Sequence, residues 1–155
     1  MIEIRRAGPQ DRQTVLELVG RLLTEIEDLP EEFAGLDRDR ILFDLANAGD
    51  SFTAFVARTT SGEAVGILTV TETFAIYAGG RYGVIDEMYV DPGHRSAGVG
   101  RGLLESAKEL GRVRGWRRID VTAPPGPAWD RTVRFYEGHG FVFAGPKLRC
   151  SLTDI

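Results

Sequence analysis

The sequence contains one cysteine, Cys150, and two histidines among its 155 residues. A lone cysteine excludes a disulfide within the chain, and no Cys/His group has the spacing of a structural zinc site. We therefore expect no metal cofactor. The scarcity of cysteine is also typical of a protein from a reducing compartment, which predicts a cytoplasmic location.

The chain also lacks an excess of basic residues and any long apolar run. Its net charge is −4, whereas nucleic-acid binding requires a concentrated basic face. No segment is apolar enough to span a bilayer, and the first residues lack the apolar stretch of a signal peptide. We expect no nucleic-acid or membrane partner, and a single soluble domain over residues 1–155.

Hydrophobic spacing predicts alternating strands and helices with no internal repeat. Helical spacing follows Pro9, recurs from about 38 to 48 and 98 to 113, and returns near 129–138. Strand-like segments occupy 2–6, 52–58, 64–74, 82–90, 117–122, 141–144 and 147–152. The predicted order is β-α-α-β-β-β-α-β-α-β-β, a mixed α/β (α+β) fold.

A glycine-rich segment over residues 90–102 joins a predicted strand to a predicted helix. Its glycines allow a ligand to approach the backbone closely, and the N–H groups of the following helix suit a pyrophosphate. Arg95 and Arg101 add charged donors for phosphate oxygens. The segment lacks the Gly-Lys-Ser/Thr ending of a Walker A loop and the last glycine of GxGxxG, so Asp120 has no assigned role as a ribose ligand.

The hexapeptide 95–100 instead fits the pattern [Arg/Gln]-x-x-Gly-x-[Gly/Ala], and here the chain resembles the GNAT superfamily of N-acetyltransferases. The segment 132–141, with Phe135-Tyr136 and a closing Gly-Phe, resembles the second motif of that family. The resemblance covers nearly the whole chain. It implies a mostly antiparallel central sheet with helices on both faces. Trp129 departs from the family pattern, since many relatives carry there an asparagine that helps to hold the cofactor.

The resemblance implies acetyl-coenzyme A as co-substrate, with its pantetheine arm along the strand that precedes the glycines and its pyrophosphate on the loop. The implied cofactor-binding residues are Met88, Tyr89, Val90, Arg95, Ser96, Ala97, Gly98, Val99, Gly100 and Arg101. A backbone N–H near Met88 would polarise the thioester oxygen. Tyr136 occupies the position of the family's general acid, while Phe135 is expected to pack in the core.

Transfer to an amine also requires a base, since an alkyl ammonium has a pKa of about 10.4 and must lose a proton before it attacks. Asp86 and Glu87 lie on the strand before the glycine loop. Alternation predicts that Asp86 shares a face with Met88 and Val90, whereas Glu87 goes with Ile85 and Tyr89, unless a bulge changes one orientation. Either carboxylate remains a candidate for the base.

The acidic pair makes the chain similar to diamine-type acetyltransferases, which predicts a small cationic amine as acceptor. A peptide or protein N-acetyltransferase and a non-catalytic acyl-CoA-binding module remain open alternatives. An acidic run at the end of the first helix is either a solvated face or a guide for cations; it consists of Glu25, Glu27, Asp28, Glu31 and Glu32. The family resemblance also suggests a homodimer.

Overall fold

The computed structural model describes residues 1–26, 36–123, 126–145 and 147–152. Among these residues the chain forms five strands and four α-helices. The strands are β1 (Ile2–Arg6), β2 (Phe52–Thr59), β3 (Ala64–Ala75), β4 (Gly80–Val90) and β5 (Ile119–Val121). The helices are α1 (Arg12–Glu25), α2 (Arg38–Asn47), α3 (Val99–Arg114) and α4 (Asp130–Gly138). The run of elements from β1 to α4 follows the predicted order.

The five strands form one sheet in the order β1-β2-β3-β4-β5. Neighbouring strands are antiparallel except for β4 and β5, which are parallel because α3 carries the chain back to the same end of the sheet. The predicted fold class, with its mostly antiparallel sheet, is confirmed.

Helices cover both faces of the sheet, as predicted. On the face that we call the α1 face, Val15 and Leu18 of α1 pack against Ile67 and Tyr89. On the opposite α3 face, residues from α3 and from the central strands form the larger core. Its buried members are Phe55, Ala57, Val65, Leu68, Val70, Ile85, Val99, Leu103, Leu104 and Ala107. Since Gly66 has no side chain, α3 lies close to β3; a Cβ there would be 3.2 Å from Val99.

The helix ends follow local signals in the sequence. The Asp37 carboxylate accepts a hydrogen bond of 3.0 Å from the Arg40 N–H and caps α2. Gly115 ends α3 with a left-handed φ of 73°, which a residue with a side chain adopts only at a cost. Among the described residues, no helix has the length and apolarity needed to cross a membrane.

The two closing strands predicted at 141–144 and 147–152 are not formed in the described residues of that region. The apolar side chains that suggested them find no buried face, since Val142, Phe143, Leu148 and Leu152 are all at least 84% exposed. A segment with the residue pattern of a strand forms a stable β-ladder only when it pairs with a neighbouring strand and packs against a core.

Candidate active site

A β-bulge in β4 determines where the predicted acidic residues lie. Thr69 is paired with Glu87, but the next residue of β3, Val70, is paired with Ile85, so Asp86 is the extra residue. The bulge changes the alternation of β4. Glu87 shares the α1 face with Tyr89 as predicted, whereas Ile85 lies on the α3 face with Met88.

Asp86 does not share the face of Met88, so that prediction is wrong. Its carboxylate accepts a 2.6 Å hydrogen bond from the hydroxyl of Thr71, which alternates with Thr69 and Ile67 on the α1 face. The bulge therefore brings both candidate bases, Asp86 and Glu87, to one side of the sheet. The Asp86 side chain is exposed there.

Glu87 is much less accessible than Asp86, and it is tightly held. The Thr69 hydroxyl, on a residue that is 0% exposed, donates a 2.5 Å hydrogen bond to the Glu87 carboxylate. The backbone N–H of Glu87 donates in turn to the same Thr69 oxygen at 3.0 Å. Burial raises the pKa of Glu87; the Thr69 hydrogen bond opposes this shift and the nearby Asp86 charge adds to it.

The parallel strands β4 and β5 separate just after the bulge. Their pairing runs only from Gly83 and Ile119 to Ile85 and Val121. Because the Asp91 N–H bonds Val65 of β3, the extended backbone directs the N–H and C=O groups of Val90 and Met88 to the opposite edge. That edge faces the gap between β4 and β5, where an extended ligand can add main-chain hydrogen bonds.

Tyr136 lies on the other side of β4 from Glu87. It belongs to α4, is 6% exposed, and its hydroxyl is 3.9 Å from the Met88 sulfur. Its ring makes edge contacts with Phe135 and Phe141, at centroid distances of 5.4 and 5.3 Å. Burial raises the pKa of Tyr136 to about 12, so the phenol remains protonated throughout the physiological range. Phe135 packs against the α3-face core, as predicted.

The glycine-rich loop ends in an unusual backbone turn. Ser96 has φ of 66° and Gly98 has φ of 84°, both in the left-handed region. Gly98 immediately precedes the first turn of α3, whose N–H groups have no acceptors within the helix. These N–H groups, with the partial positive charge of the helix end, have the chemistry to bind an anion such as a phosphate group. Ser96 is itself fixed by Arg131, whose guanidinium donates to its hydroxyl at 3.1 Å.

Arg95 is held against β4 and α1. Its guanidinium donates to both oxygens of Glu25 at 2.9 and 2.6 Å, and its Nε donates to the Val90 carbonyl at 2.7 Å. The guanidinium carbon lies 5.6 Å from the centre of the Tyr89 ring. One turn earlier on α1, Arg21 donates to the Asp91 carboxylate at 3.0 and 3.1 Å. In one ion pair α1 supplies the carboxylate of Glu25, and in the other it supplies the guanidinium of Arg21. Both pairs hold the end of α1 against the segment that precedes α3.

Sequence reasoning did not single out Thr69 or Arg21. It named Glu25 only as a member of the acidic run, whose other residues lie outside the described part of the chain. Each of these three residues acts through a partner that is 18 to 70 positions away in the chain. No local pattern reports such a pairing; only the register of β3 on β4 and the docking of α1 reveal it. Within the described ranges, no group of histidine, cysteine or carboxylate side chains is placed to hold a metal ion.

The bulged β4, the gap beside β5 and the glycine turn before α3 all lie in the part of the chain that matches a known protein family. The sequence model described as "Acetyltransferase (GNAT) domain" matches residues 50–143, which include all three features. The chain is a member of the GNAT acetyltransferase family. It is therefore an N-acetyltransferase, and enzymes of this family use acetyl-coenzyme A as co-substrate.

Similarity to known proteins covers nearly the whole chain. A glucosamine 6-phosphate N-acetyltransferase from Trypanosoma brucei brucei is 28% identical over 152 residues, which cover 97% of this chain and 96% of the relative. An aminoglycoside acetyltransferase from an uncultured soil metagenomic sample superimposes with a TM-score of 0.81 at 22% identity, over 99% of both chains. The glucosamine-6-phosphate N-acetyltransferase from Arabidopsis thaliana gives a TM-score of 0.74 at 18% identity, also over 99% of both chains.

Proposed function

We propose that this GNAT enzyme transfers the acetyl group of acetyl-coenzyme A directly to a primary amine of a small cationic molecule. Glu87 is the base and Tyr136 assists the leaving sulfur. The observation that carries the proposal is the arrangement around β4: Glu87, joined by Asp86 through the bulge, lies on one side of the strand, and Met88 meets Tyr136 on the other. The acetyl donor and the amine would then meet across β4, in the gap beside β5.

Glu87 is the better base of the two carboxylates. A general base is effective when its pKa approaches the operating pH, and burial moves the pKa of Glu87 upward. The Thr69 hydroxyl and the strand backbone fix the position of the carboxylate. Asp86 is exposed and lies on the same face, so it is suited to attract the ammonium form of the acceptor.

The proton and electron movements are those of simple acyl transfer. The amine nitrogen forms a bond to the acetyl carbonyl carbon, and the carbon–sulfur bond breaks with its electron pair leaving on sulfur. Glu87 accepts the proton that the amine nitrogen loses. The N–H of Met88, directed into the gap, is placed to donate to the carbonyl oxygen as negative charge develops there.

Tyr136 acts as a hydrogen-bond donor to the sulfur more than as a source of a full proton. Its pKa of about 12 lies above the pKa of about 8.5 that is typical of a thiol. Complete transfer of the phenolic proton to a thiolate is therefore unfavourable by roughly 5 kcal/mol, at 1.36 kcal/mol per pKa unit. A donated hydrogen bond stabilises the developing thiolate without that cost.

The chemistry of the α1 face supports a cationic acceptor. Glu87 and Asp86 lie side by side there, on Thr69 and Thr71. The relatives named above include enzymes described as acting on glucosamine 6-phosphate and on aminoglycosides, both of which carry amines. A peptide acceptor is the main competing class, and the same assay separates the two.

The experiment is an assay of thiol release from acetyl-coenzyme A across amino sugars, aminoglycosides, polyamines, amino acids and short peptides. We expect turnover with one or more of the small amines and none with peptides. Turnover confined to peptides would overturn the acceptor class. Tight acetyl-coenzyme A binding by calorimetry without thiol release from any acceptor would contradict the catalytic proposal and favour a binding module.

A further inference from the structure

The α1 face of the sheet continues well past the reacting carboxylate. On β3, the alternating residues Thr69, Thr71 and Thr73 are paired with Glu87, Val84 and Tyr82 of β4. Helix α1 packs at the other end of this face, against Ile67 and Tyr89. The threonine-rich end therefore forms a polar surface that extends from Glu87 toward the β3–β4 hairpin.

Strand β5 adds a charged pair to this surface. Asp120 lies beside Val84 in the parallel register, while its neighbours Ile119 and Val121 pack into the core on the α3 face. Asp120 therefore projects to the α1 face. Its carboxylate binds Arg118 side-on, with distances of 3.0 Å from Nε and 3.2 Å from Nη2.

Two tyrosines fix the other side of the Arg118 guanidinium. The guanidinium carbon lies 5.2 Å from the centre of the Tyr77 ring and 5.0 Å from that of Tyr82. Tyr82 is 9% exposed, whereas Tyr77 is 79% exposed and offers most of its ring to solvent. The contacts to Asp120 do not use Nη1 of Arg118, so donors remain at the end of this side chain.

The strand register gives the separation between this cluster and Glu87. Thr69 and Thr71 lie two residues apart, about 7 Å along β3, and β5 lies one strand further across. The backbone at Asp120 is therefore about 8 Å from that at Glu87, and the backbone at Arg118 is about 14 Å away. A single sugar ring bound at Glu87 does not reach Arg118, whereas a molecule of two or three rings does.

The chemistry of the cluster selects among elongated amines. An alkyl polyamine would meet the like charge of Arg118, and a phosphate would meet the like charge of Asp120. A hydroxyl group both donates and accepts, so it can bind the adjacent carboxylate and guanidinium together. The exposed ring of Tyr77 adds an apolar surface for the face of a sugar ring.

We propose that Tyr77, Tyr82, Arg118 and Asp120 form a second acceptor subsite, which binds a hydroxyl-bearing ring of a multi-ring amino sugar whose amine is acetylated beside Glu87. This inference rests on the proposed small-amine acetyltransferase function and specifies its acceptor. Arg118 and Asp120 are specificity residues here, since they contact a part of the acceptor that does not react.

The test compares a one-ring with a three-ring acceptor on the full-length enzyme. The variants are Arg118→Gln and Asp120→Asn, with Arg117→Gln as matched control because the Arg117 side chain packs at Gly79 outside the cluster. We expect KM for a three-ring aminoglycoside to rise about tenfold in both variants, the effect of one lost hydrogen bond to a charged group. The KM for glucosamine, the kcat with either acceptor and the control variant should stay within twofold of wild type.

Three results would overturn the subsite: an equal rise in KM for both acceptors, an unchanged KM for the three-ring acceptor, or a wild-type preference for putrescine or glucosamine 6-phosphate over it. Lack of turnover with every acceptor would contradict the proposed function instead. In that case calorimetry of the three-ring acceptor, with coenzyme A present, decides the subsite separately. Weaker binding to Arg118→Gln but not to Arg117→Gln would support it, and equal binding would refute it.

Discussion

At the residue scale, Glu87 and Asp86 differ in burial although they are adjacent in sequence and lie on one face. We predict that Glu87→Gln lowers kcat by about 10²-fold or more, the usual contribution of a general base. The exposed Asp86 is the matched control, and Asp86→Asn should change kcat less than tenfold and act mainly on KM, because solvent screens its charge. Steady-state thiol release measures both. A larger loss of kcat in Asp86→Asn would assign the base to Asp86.

The burial of Glu87 also has a consequence for stability. Because its pKa is raised in the folded state, the folded protein binds this proton more tightly than the unfolded chain does, and ionised Glu87 destabilises the fold at neutral pH. Glu87→Gln retains an oxygen for the Thr69 hydroxyl but carries no charge. We predict a higher melting temperature for Glu87→Gln at pH 7.5, about 3 °C for each kcal/mol gained in a chain of this size.

That stability difference depends on the protonation of Glu87. As the pH falls through the folded-state pKa of Glu87, the wild-type carboxylate becomes neutral and the advantage of the glutamine should shrink. Melting curves at a series of pH values between 7.5 and 4 measure this. A constant difference between the two proteins over that range would show that the charge of Glu87 is not the cause.

Tyr136 gives a second prediction at this scale. Its hydroxyl makes only a long contact, 3.9 Å, to the Met88 sulfur, and it is buried. Tyr136→Phe should therefore lower kcat by about 10²-fold, the usual effect of losing one donor to a developing negative charge, with little change in thermal stability or in acetyl-coenzyme A affinity. Calorimetry and thiol release on the same preparation separate the two properties. An unchanged kcat would remove Tyr136 from the mechanism.

At the element scale, the left-handed turn before α3 connects backbone conformation to cofactor binding. Gly98 and Gly115 lie just outside the two ends of α3, with φ of 84° and 73°, and a Cβ at either position would meet open space. We predict that Gly98→Ala and Gly115→Ala each cost about 1 kcal/mol of stability, from the left-handed backbone alone. Only Gly98→Ala should also weaken acetyl-coenzyme A binding, because only that end of the helix fits the pyrophosphate. Equal affinities in the two variants would place the pyrophosphate elsewhere.

At this scale, some features of the structure follow from neighbouring residues in the sequence, whereas others depend on contacts between distant residues. The glycine turn and the amphipathic α3 are local signals, and the structure has these elements as predicted. The orientation of Asp86 was predicted wrongly because a bulge depends on how β3 pairs with β4, which alternation within β4 alone does not report. The hydrogen bond between Thr69 and Glu87 was not predicted from the sequence, for the same reason. Tyr136 was found through the resemblance of its motif to the GNAT family.

At the scale of the whole molecule, the apolar side chains near the C-terminus lack a partner within the described chain. Phe143 is 89% exposed and Leu148 is 93% exposed, and β5 presents a three-residue strand at the edge of the sheet. Exposed apolar groups and an unpaired strand edge are both typical of a protein–protein interface. We predict a homodimer in solution, in which these residues are covered by a second copy.

Sedimentation velocity of the wild-type protein and of Phe143→Ser measures this association. We expect the wild type to sediment as a dimer and Phe143→Ser to shift toward monomer, because the substitution removes a large exposed apolar side chain from the proposed interface. Val113→Ser is a matched control, since Val113 is also apolar and 75% exposed but lies on α3. A wild-type protein that is monomeric at all concentrations would contradict the predicted homodimer. If the dimer forms, the second copy would supply the neighbouring strand and the covered face that the C-terminal strand pattern lacks among the described residues.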